Sequence, residues 1–380
     1  MRPFPLIALA LSLIASTSLA EQTTPARAAL VIDMATGAVL LEKDADEPLP
    51  PASMSKLMTL YMVFEALEQG RLSLDDTFAV SAKAQGMGGS TMYLDTRDKV
   101  SVEDLILGII VQSGNDACVV VAEGLAGSEA AFADLMTQRG REIGLTGSVF
   151  ANSTGWPHPD HRMTIRDLVT LSTRLIEDFP QYYPYFAETE FDFDGRAPAN
   201  RFNRNPLLGL DIGADGLKTG HTAEAGFGLT ASALRNGRRV VLAVTGLETQ
   251  AQRRQETERL VNWAFRAFEA HELYPAGTQL AEAEVWLGEE GSVPLVTAEE
   301  ITAIVPAGRL GEAQLTARFD SPVEAPIAEG ATLGTLEISA PGMAPVTVPL
   351  LAAHGVARGG FLARLTAAGR LVLADLMPGD

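Results

Sequence analysis

Apolar residues follow two different spacings along this chain, which predict strands in some stretches and helices in others. Residues 28–42 contain two apolar runs on either side of Ala35-Thr36-Gly37, the pattern of a hairpin. Residues 226–247 alternate apolar with small or polar residues on both sides of Asn236-Gly237, and Asn-Gly is a strong signal for a two-residue hairpin turn. Both stretches predict antiparallel strand pairs.

Helical spacing first appears over residues 53–68, where apolar side chains recur every three or four positions and a glycine follows. Ser101 with Asp104 forms a capping box that opens a short helix to about Ile110. Further helices are predicted at residues 115–125, 129–143, from Thr164 onward, and at about 251–270.

The pattern changes after the turn at residues 274–277. Helical spacing stops there, and short apolar runs alternate with glycine and proline turns as far as Leu351. We therefore predict an α/β (α+β) domain over residues 21–274, with an antiparallel sheet flanked by helices. A small all-β, sandwich-like domain is predicted over residues 275–352.

Both ends of the chain carry segments of a different kind. Residues 1–20 combine a positive charge, an apolar run from Leu6 to Ala15 and a Ser18-Leu19-Ala20 cleavage pattern, which predicts a signal peptide. In the tail, residues 353–380, the apolar side chains from Phe361 to Leu376 fall on one stripe of a helical wheel. This amphipathic helix is expected either to lie in a membrane interface or to dock on its own β domain.

The charge balance narrows the class of protein. The 48 acidic residues outnumber the 29 basic ones, and the net charge of −19 argues against a nucleic-acid binder. The single cysteine, Cys118, excludes internal disulfides and lies in an apolar helical run where burial is predicted. His158, Asp160 and His161 are residue types that bind metals, but we interpret them as a polar loop and expect no metal.

Lysine is rare in this sequence, and two of the five lysines fall in motifs that can carry chemistry. Ser53-Met54-Ser55-Lys56 places a serine and a lysine three residues apart on one face of a predicted helix start. Such a lysine accepts the serine proton if burial keeps it uncharged. Taken alone, the motif also fits a helix N-cap followed by a solvated lysine.

Two further motifs favour a catalytic serine–lysine pair over a helix N-cap with a solvated lysine. Ser113-Gly114-Asn115 supplies a hydroxyl and an amide from one tight loop between predicted helices. Lys218-Thr219-Gly220 lies just before the predicted hairpin, where glycine lets the backbone pass close to a ligand. Arginine could replace neither lysine as a base, because it does not lose its proton.

These three motifs, in this order, are the signature of penicillin-binding proteins and class A β-lactamases. The runs PASMSKLMT, QSGNDAC and DGLKTGHTAEAGFGLTASA resemble low-molecular-mass penicillin-binding proteins of the serine-type D-alanyl-D-alanine carboxypeptidase family. The similarity runs from about Ala28 into the tail and includes VEAPIAEGATLGTLE in the predicted β domain. It implies removal of the terminal D-alanine from peptidoglycan stem pentapeptides through an acyl-enzyme, inhibition by β-lactams, and no cofactor.

The resemblance also implies a role for each residue of the motifs. Ser53 would be the nucleophile and Lys56 its general base. Lys218 would help to keep Lys56 neutral, and Ser113 would relay a proton to the leaving group. Asn115 would hold the amide of the substrate's acyl side chain.

The remaining positions would contact the oxyanion and the substrate carboxylate. The backbone N–H groups of Ser53 and His221 would hold the oxyanion. Thr219 and Lys218, with Gly220 in the same motif, would meet the terminal carboxylate of the peptide or of a β-lactam.

Two arginines match family arginines that support carboxylate recognition. They are Arg204 and Arg253, with Arg254 as an alternative because the register there is open by one residue. A bidentate guanidinium suits a carboxylate, and a surface ion pair is the competing interpretation.

Two departures from the family pattern bear on turnover. No glutamate occurs between Glu142 and Glu177, where a class A β-lactamase would need its deacylating carboxylate, so efficient penicillin hydrolysis is not expected. Thr154 stands where members of the family can have a histidine, so any role of that histidine in deacylation does not transfer.

Three alternative functions stay open on the sequence: a β-lactamase, a D,D-endopeptidase acting on crosslinks, and a catalytically weak wall-binding protein. The resemblance also implies a location in the periplasm, on the outer face of the inner membrane, with the amphipathic tail as the contact. The β domain would then act as a spacer that lifts the active site toward the cell wall.

Overall fold

The computed structural model describes residues 23–360. The predicted signal peptide and the amphipathic segment from Phe361 lie outside these residues. Within residues 23–360, no helix combines the length and the apolar character needed to cross a bilayer.

The described chain forms seven α-helices and fifteen β-strands. The helices are α1 (Lys56–Glu68), α2 (Ala82–Gln85), α3 (Val102–Leu107), α4 (Asn115–Ala126), α5 (Glu129–Glu142), α6 (Ile165–Asp178) and α7 (Gln250–Ala267). The strands up to α7 are β1 (Ala28–Asp33), β2 (Val39–Lys43), β3 (Thr77–Ala79), β4 (Lys99–Ser101), β5 (Ala214–Thr222), β6 (Gly226–Arg235) and β7 (Arg238–Leu247). The strands after α7 are β8 (Phe268–Tyr274), β9 (Ala281–Trp286), β10 (Ser292–Val296), β11 (Ile301–Pro306), β12 (Gln314–Phe319), β13 (Val323–Glu324), β14 (Thr332–Ser339) and β15 (Val346–Ala352).

The centre of the first part of the chain is a five-stranded sheet in the order β2-β1-β7-β6-β5. Every neighbouring pair in it is antiparallel. The predicted antiparallel sheet flanked by helices is therefore confirmed. Strand β5, which carries the Lys-Thr-Gly motif, forms one edge of this sheet, so one side of the motif is open to a ligand.

Both faces of this sheet are buried, and successive side chains go to opposite cores. Leu30 pairs with Ala243, and both pack in the larger core beneath α1, α4 and α6. Val31 pairs with Leu242, and both pack in the core that α7 covers. The near-continuous apolar runs of β1 and β7 follow from this double burial.

The β6–β7 hairpin turns at Asn236 and Gly237, as predicted. Their φ angles are 52° and 81°, so both central residues are left-handed. This is the backbone of a type I′ turn, in which Asn-Gly is preferred because both residues tolerate positive φ.

The helix that begins at residue 102 differs from the prediction at its end. It leaves α-geometry after Leu107, and residues Gly108–Gln112 form one π-helical turn. A side chain at Gly108 has no room, because a Cβ there would lie 2.1 Å from the Met92 sulfur. The wider turn delivers Ser113 in the left-handed region, with φ 58° and ψ 36°.

The second part of the chain consists of strands, and it begins directly after α7. The predicted helix to residue 270 is three residues too long, because Phe268 is already extended and pairs with Pro306. A six-stranded sheet in the order β12-β14-β15-β10-β9-β13 lies beside the β8–β11 pair. Between them is a separate apolar core that includes Leu295 and Val305.

The two parts meet at a small apolar contact between the β1–β2 hairpin and the strands after α7. Ala38, Phe268 and Ile304 form its buried centre. Beside it, the Arg238 guanidinium donates to the buried Asp33 carboxylate at 2.8 Å and to the Phe268 carbonyl at 2.8 Å. This ion pair ties the first strand of the sheet to the start of the β region.

Candidate active site

The Ser53 turn sits against the edge of the sheet at a place where two strands carry no side chains. Residues Ala52–Ser55 form a 3₁₀ turn that leads directly into α1. Gly220 on β5 pairs with Gly228 on β6. A Cβ at Gly220 would lie 2.9 Å from the Pro51 carbonyl oxygen, and one at Gly228 would lie 2.7 Å from Met54 Cε. The glycine of the Lys-Thr-Gly motif thus lets the turn approach the strand.

Lys56 is fully buried and its ammonium nitrogen has three oxygen partners. Nζ lies 3.0 Å from Ser53 Oγ, 2.7 Å from Asn115 Oδ1 and 2.6 Å from the Thr154 carbonyl oxygen. The amide and carbonyl oxygens can only accept hydrogen bonds. A neutral amine has two hydrogens, so these two oxygens take both and leave the lone pair directed at Ser53.

The charge state of Lys56 is set mainly by burial. Loss of hydration lowers its pKa to about 8, and the positive charge of Arg204 lowers it as well. Lys56 in turn lowers the pKa of Lys218, because each positive charge disfavours the other. Lys56 can therefore be a neutral base near neutral pH chiefly because the fold has dehydrated it.

Ser113 and Lys218 form a second serine–lysine pair across the cleft. The Lys218 ammonium nitrogen lies 3.0 Å from Ser113 Oγ, and both side chains are almost fully buried. Burial, then the charges of Lys56 and Arg204, hold the pKa of Lys218 well below its usual range. Two lysines and two serines thus converge, as expected for proton transfer to and from a reacting group.

Asn115 and Asp116 fix the loop that closes this side of the cleft. Asn115 Nδ2 donates to the Gly88 carbonyl at 2.7 Å while its Oδ1 faces Lys56. The buried Asp116 carboxylate accepts from the backbone N–H groups of Met92 and Leu94 at 3.0 and 3.1 Å. The start of α4 therefore holds both the base and the loop of residues 88–94.

One half of the cleft, about 270 Å³, is lined by Ser53, Ser113, Thr219, His221, Arg204 and Arg253. Among the described residues that line it, the two arginines alone carry a formal charge. Arg253 is 4% exposed, and its guanidinium donates to the Arg204 carbonyl at 3.4 Å and lies 5.8 Å from the centre of the Phe227 ring. Its Nε has no hydrogen-bond partner among residues 23–360. Burial lowers the pKa of Arg253 to about 10. A buried cation of this kind suits an anionic ligand group.

Arg204 lies at the rim and Arg254 lies outside the cleft. The Arg204 guanidinium donates to Ser90 Oγ at 2.7 Å and to the Gln112 carbonyl at 3.1 Å. Within residues 23–360, neither Arg204 nor Arg253 forms an ion pair with a carboxylate, against the surface-ion-pair interpretation. Arg254 is exposed, so the structure places Arg253, not Arg254, at the cleft.

The other half of the cleft, about 260 Å³, lies on the far side of Ser53 and includes Trp156. The Trp156 side chain is accessible to solvent, and the residue is 48% exposed. Its backbone is fixed by Asn152, whose Oδ1 accepts from the N–H groups of Gly155 and Trp156 at 2.8 and 3.0 Å. Gly155 must be small, because a Cβ there would lie 1.9 Å from the Ala52 carbonyl oxygen.

Residues 158–161 lie in a loop, as predicted, and His158 and Asp160 are exposed, but His161 is buried. It is 1% exposed, and its Nε2 lies 2.7 Å from Ser55 Oγ. Its Nδ1 accepts from the Ala151 N–H at 3.3 Å, so the hydrogen is on Nε2 and is directed at the serine. Burial lowers the pKa of His161 to about 4, and the ring is neutral in the physiological range. Sequence spacing gave no signal for this contact, which joins positions 106 residues apart.

No group of three or more His, Cys, Asp or Glu side chains within residues 23–360 is arranged to hold a metal ion. Cys118 is buried, as predicted, and burial raises the pKa of its thiol to about 12. The reactive groups of the cleft are therefore hydroxyls and amines.

Comparison with protein families agrees with this arrangement along most of the chain. Residues 15–249 match the family described as D-alanyl-D-alanine carboxypeptidase. Residues 268–358 match the penicillin-binding protein 5, C-terminal domain, and this match begins where β8 begins.

Named relatives and solved structures are also similar to this chain. The D-alanyl-D-alanine carboxypeptidase DacC of Escherichia coli is 37% identical over 360 residues, which cover 91% of this chain and 89% of that protein. Penicillin-binding protein 5 from Haemophilus influenzae has a crystal structure that is 31% identical, covers 90% of this chain and 100% of that one, and superposes with a TM-score of 0.82. Penicillin-binding protein D2 from Listeria monocytogenes, solved in its ampicillin-bound form, is 31% identical over 64% of this chain and 98% of that one, with a TM-score of 0.58.

Proposed function

This chain belongs to the D-alanyl-D-alanine carboxypeptidase family and is a serine-type carboxypeptidase, and from that premise we propose the role of each residue in its cleft. Ser53 is the nucleophile and Lys56 is its general base. The observation that carries this assignment is the position of Lys56 Nζ, whose two other oxygen partners leave the lone pair directed at Ser53.

Acylation follows from this geometry. Lys56 takes the Ser53 proton as Oγ attacks the carbonyl carbon of the penultimate D-alanine. The backbone N–H groups of Ser53 and His221 hold the oxyanion. The carbon–nitrogen bond then breaks as Lys56 passes this proton through the Ser113 hydroxyl, which Lys218 contacts, to the leaving D-alanine amine. Lys56 is neutral again at the end of this step.

Deacylation uses the same groups in reverse. Lys56 accepts a proton from a water molecule that attacks the ester carbonyl, and Ser53 Oγ leaves with a proton returned to it. No aspartate or glutamate lines either half of the described cleft, so water activation falls to Lys56. Glu129, the first residue of α5, is engaged by Lys83 at 2.7 Å and by the Ser153 hydroxyl at 2.8 Å.

The two halves of the cleft receive the two ends of the substrate. The terminal carboxylate lies with Thr219, Arg204 and Arg253, in the half of the cleft that no described carboxylate lines. Lys218, next to Thr219 in the chain, adds its charge from behind. The acyl part of a peptidoglycan stem pentapeptide extends toward Asn115 and Trp156. A β-lactam carries the same acyl amide and carboxylate, and the Listeria relative was solved with ampicillin bound.

The rest of the chain positions this enzyme in the cell envelope. We propose residues 1–20 as a signal peptide, residues 21–274 as the catalytic domain, residues 275–352 as a spacer domain and residues 353–380 as an amphipathic tail on the outer face of the inner membrane. The apolar stripe of the tail supports this location. Flotation of the purified mature protein with liposomes tests it, with a chain that ends at residue 360 as the control.

The substrate is tested by product analysis. The purified protein is incubated separately with a stem pentapeptide, a crosslinked dimer and benzylpenicillin. Release of D-alanine from the pentapeptide, with the dimer intact and the penicillin consumed slowly, is expected. Cleavage of the dimer would indicate an endopeptidase, and rapid loss of penicillin would indicate a β-lactamase. No reaction with any of the three compounds would indicate a wall-binding protein.

A further inference from the structure

Behind Lys56 lies a polar connection that the proposed mechanism does not use. His161 and Ser55 are both buried, at 1% and 0% exposure, and their side chains meet at 2.7 Å. Ser55 is the last residue of the turn that carries Ser53, and Lys56 is the next residue in the chain. The contact therefore acts on the backbone from which both reacting side chains project.

His161 also contacts the loop on the opposite side of Lys56. Its Nδ1 accepts the N–H of Ala151, which begins the loop that continues through Asn152 to Thr154. Asn152 folds this loop back through hydrogen bonds to its own next residues, including the Thr154 N–H at 3.1 Å. The Thr154 carbonyl at the end of this path is the acceptor 2.6 Å from Lys56 Nζ.

One imidazole therefore spans the two pieces of backbone that set the direction of the Lys56 lone pair. Its ring packs edge-on against Phe150, with ring centroids 5.6 Å apart, which fixes its orientation. Resting on the proposed function, we propose that His161 is a positioning residue for the reaction. Through Ser55 it keeps the Ser53 turn and the Thr154 carbonyl in register around Lys56.

Two substitutions separate the two ring nitrogens. In His161→Gln the amide nitrogen reaches the place of Nε2 and can still donate to Ser55, while the acceptor for Ala151 is lost. In His161→Asn the amide oxygen takes the place of Nδ1 and keeps Ala151, but nothing reaches Ser55. His158→Asn is the matched control, because His158 is an exposed histidine of the same loop.

The proposal predicts different kinetics for these variants. His161→Asn lowers kcat for D-alanine release and the rate of penicillin acylation about tenfold, with KM unchanged, because a small misplacement of a base is costly. Ser55→Ala gives the same loss, and the double variant Ser55→Ala/His161→Asn is no worse than either single variant. His161→Gln stays within about twofold of wild type, because the hydrogen bonds of Asn152 still hold the Thr154 loop when the Ala151 acceptor is lost, and His158→Asn does so as well. A factor of two corresponds to roughly 0.4 kcal/mol.

A readout that does not need activity completes the test. With only five lysines in the chain, ¹³C labelling of lysine Cε lets the Lys56 signal be assigned and titrated. Release of Ser55 moves the turn that precedes Lys56 relative to the Thr154 carbonyl and weakens the hydrogen bond that the ammonium form makes to it. The Lys56 pKa therefore falls in His161→Asn and not in His161→Gln. The titration separates failure of this inference from failure of the proposed function, which would instead appear as an inactive wild type.

The inference is overturned if His161→Asn and Ser55→Ala keep both the wild-type rate and the wild-type Lys56 pKa, even with a lower melting temperature. Loss of melting temperature alone would make His161 a structural residue only. If His161→Asn does not fold, the acylation rate and the Lys56 pKa are measured in Ser55→Ala instead. This variant breaks the same contact by removing only the serine oxygen.

Discussion

The Thr154 carbonyl oxygen lies 2.6 Å from Lys56 Nζ, while the Thr154 side chain is directed away from the lysine. Its hydroxyl donates to Asn152 Oδ1 at 3.0 Å and accepts from the Trp156 N–H at 3.0 Å. The main chain at this position therefore accepts a hydrogen bond from the base, and the side chain stabilises the loop of residues 152–156. A difference in residue type at position 154 changes the support of the loop while the carbonyl acceptor remains.

The state of Lys56 predicts how acylation depends on pH. Below its pKa of about 8 the lysine is an ammonium without a lone pair, so the acylation rate rises with pH and levels off above that value. In the lower arm the rate falls about tenfold for each pH unit. Acylation by a fluorescent penicillin between pH 6 and 10 measures this.

A flat profile over that range would show that Lys56 is not the base. Lys56→Arg is the matched variant, because arginine keeps the charge and cannot lose its proton. It is expected to abolish acylation at every pH in the range, with the fold intact by circular dichroism.

Arg253 and Arg254 offer a neighbouring pair with opposite environments. Arg253→Gln removes a buried guanidinium from the carboxylate half of the cleft, and a charge-assisted hydrogen bond of about 1.5–3 kcal/mol is lost. The expected result is a fall in kcat/KM for the pentapeptide of about tenfold to a hundredfold. Arg254→Gln, on the exposed side, should leave kcat/KM unchanged. Equal effects of the two changes would contradict the assignment.

Trp156 is expected to contact the acyl part of the substrate. Trp156→Ala should raise KM for a full stem pentapeptide a few-fold, since burying an aromatic face contributes on the order of 1 kcal/mol. A minimal acylated D-alanyl-D-alanine dipeptide lacks that part and should show no change. Steady-state kinetics on the two substrates gives the comparison, and an equal rise in KM for both would place Trp156 elsewhere.

The close approach at Gly220 makes a prediction about stability. In Gly220→Ala the new methyl group would meet the Pro51 carbonyl at 2.9 Å and Met54 Cγ at 3.1 Å. Relief of this contact moves the Ser53 turn, so the variant should lose about 1–3 kcal/mol of unfolding free energy and much of its acylation rate. Gly209→Ala is the control, because a Cβ there has no neighbour within 4 Å. Urea unfolding of both variants measures the difference.

The fold was predictable where local signals and periodicity agree. The Asn236-Gly237 hairpin, the Ser101 cap and the helix start at Thr164 occur as the sequence indicates. The side chains of Ser101 and Thr164 each accept a backbone N–H of the first helical turn. Helix α7 was predicted too long, because an apolar residue at position 268 fits the spacing of a helix as well as that of a strand. Its extended form is decided by pairing with Pro306, which lies 38 positions further on.

The site divides in the same way. Ser53, Lys56, Ser113 and Lys218 were found from motif spacing, and the structure brings them together. The Ser55–His161 contact was not predicted, because it joins segments that are distant in the sequence. The role of the Thr154 carbonyl was not predicted either, because every residue has a backbone carbonyl. Arg253 could be separated from Arg254 only by the face of α7 that enters the cleft.

The central claim is that Ser53 is acylated in a site built to recognise penicillin and D-alanyl-D-alanine. Intact mass spectrometry of the mature protein after brief exposure to benzylpenicillin tests it, with Ser53→Ala alongside. A stoichiometric adduct of one drug molecule on the wild type, and none on Ser53→Ala, is the predicted result. An unmodified, folded wild type with the drug intact, or an adduct that persists on Ser53→Ala, would contradict it.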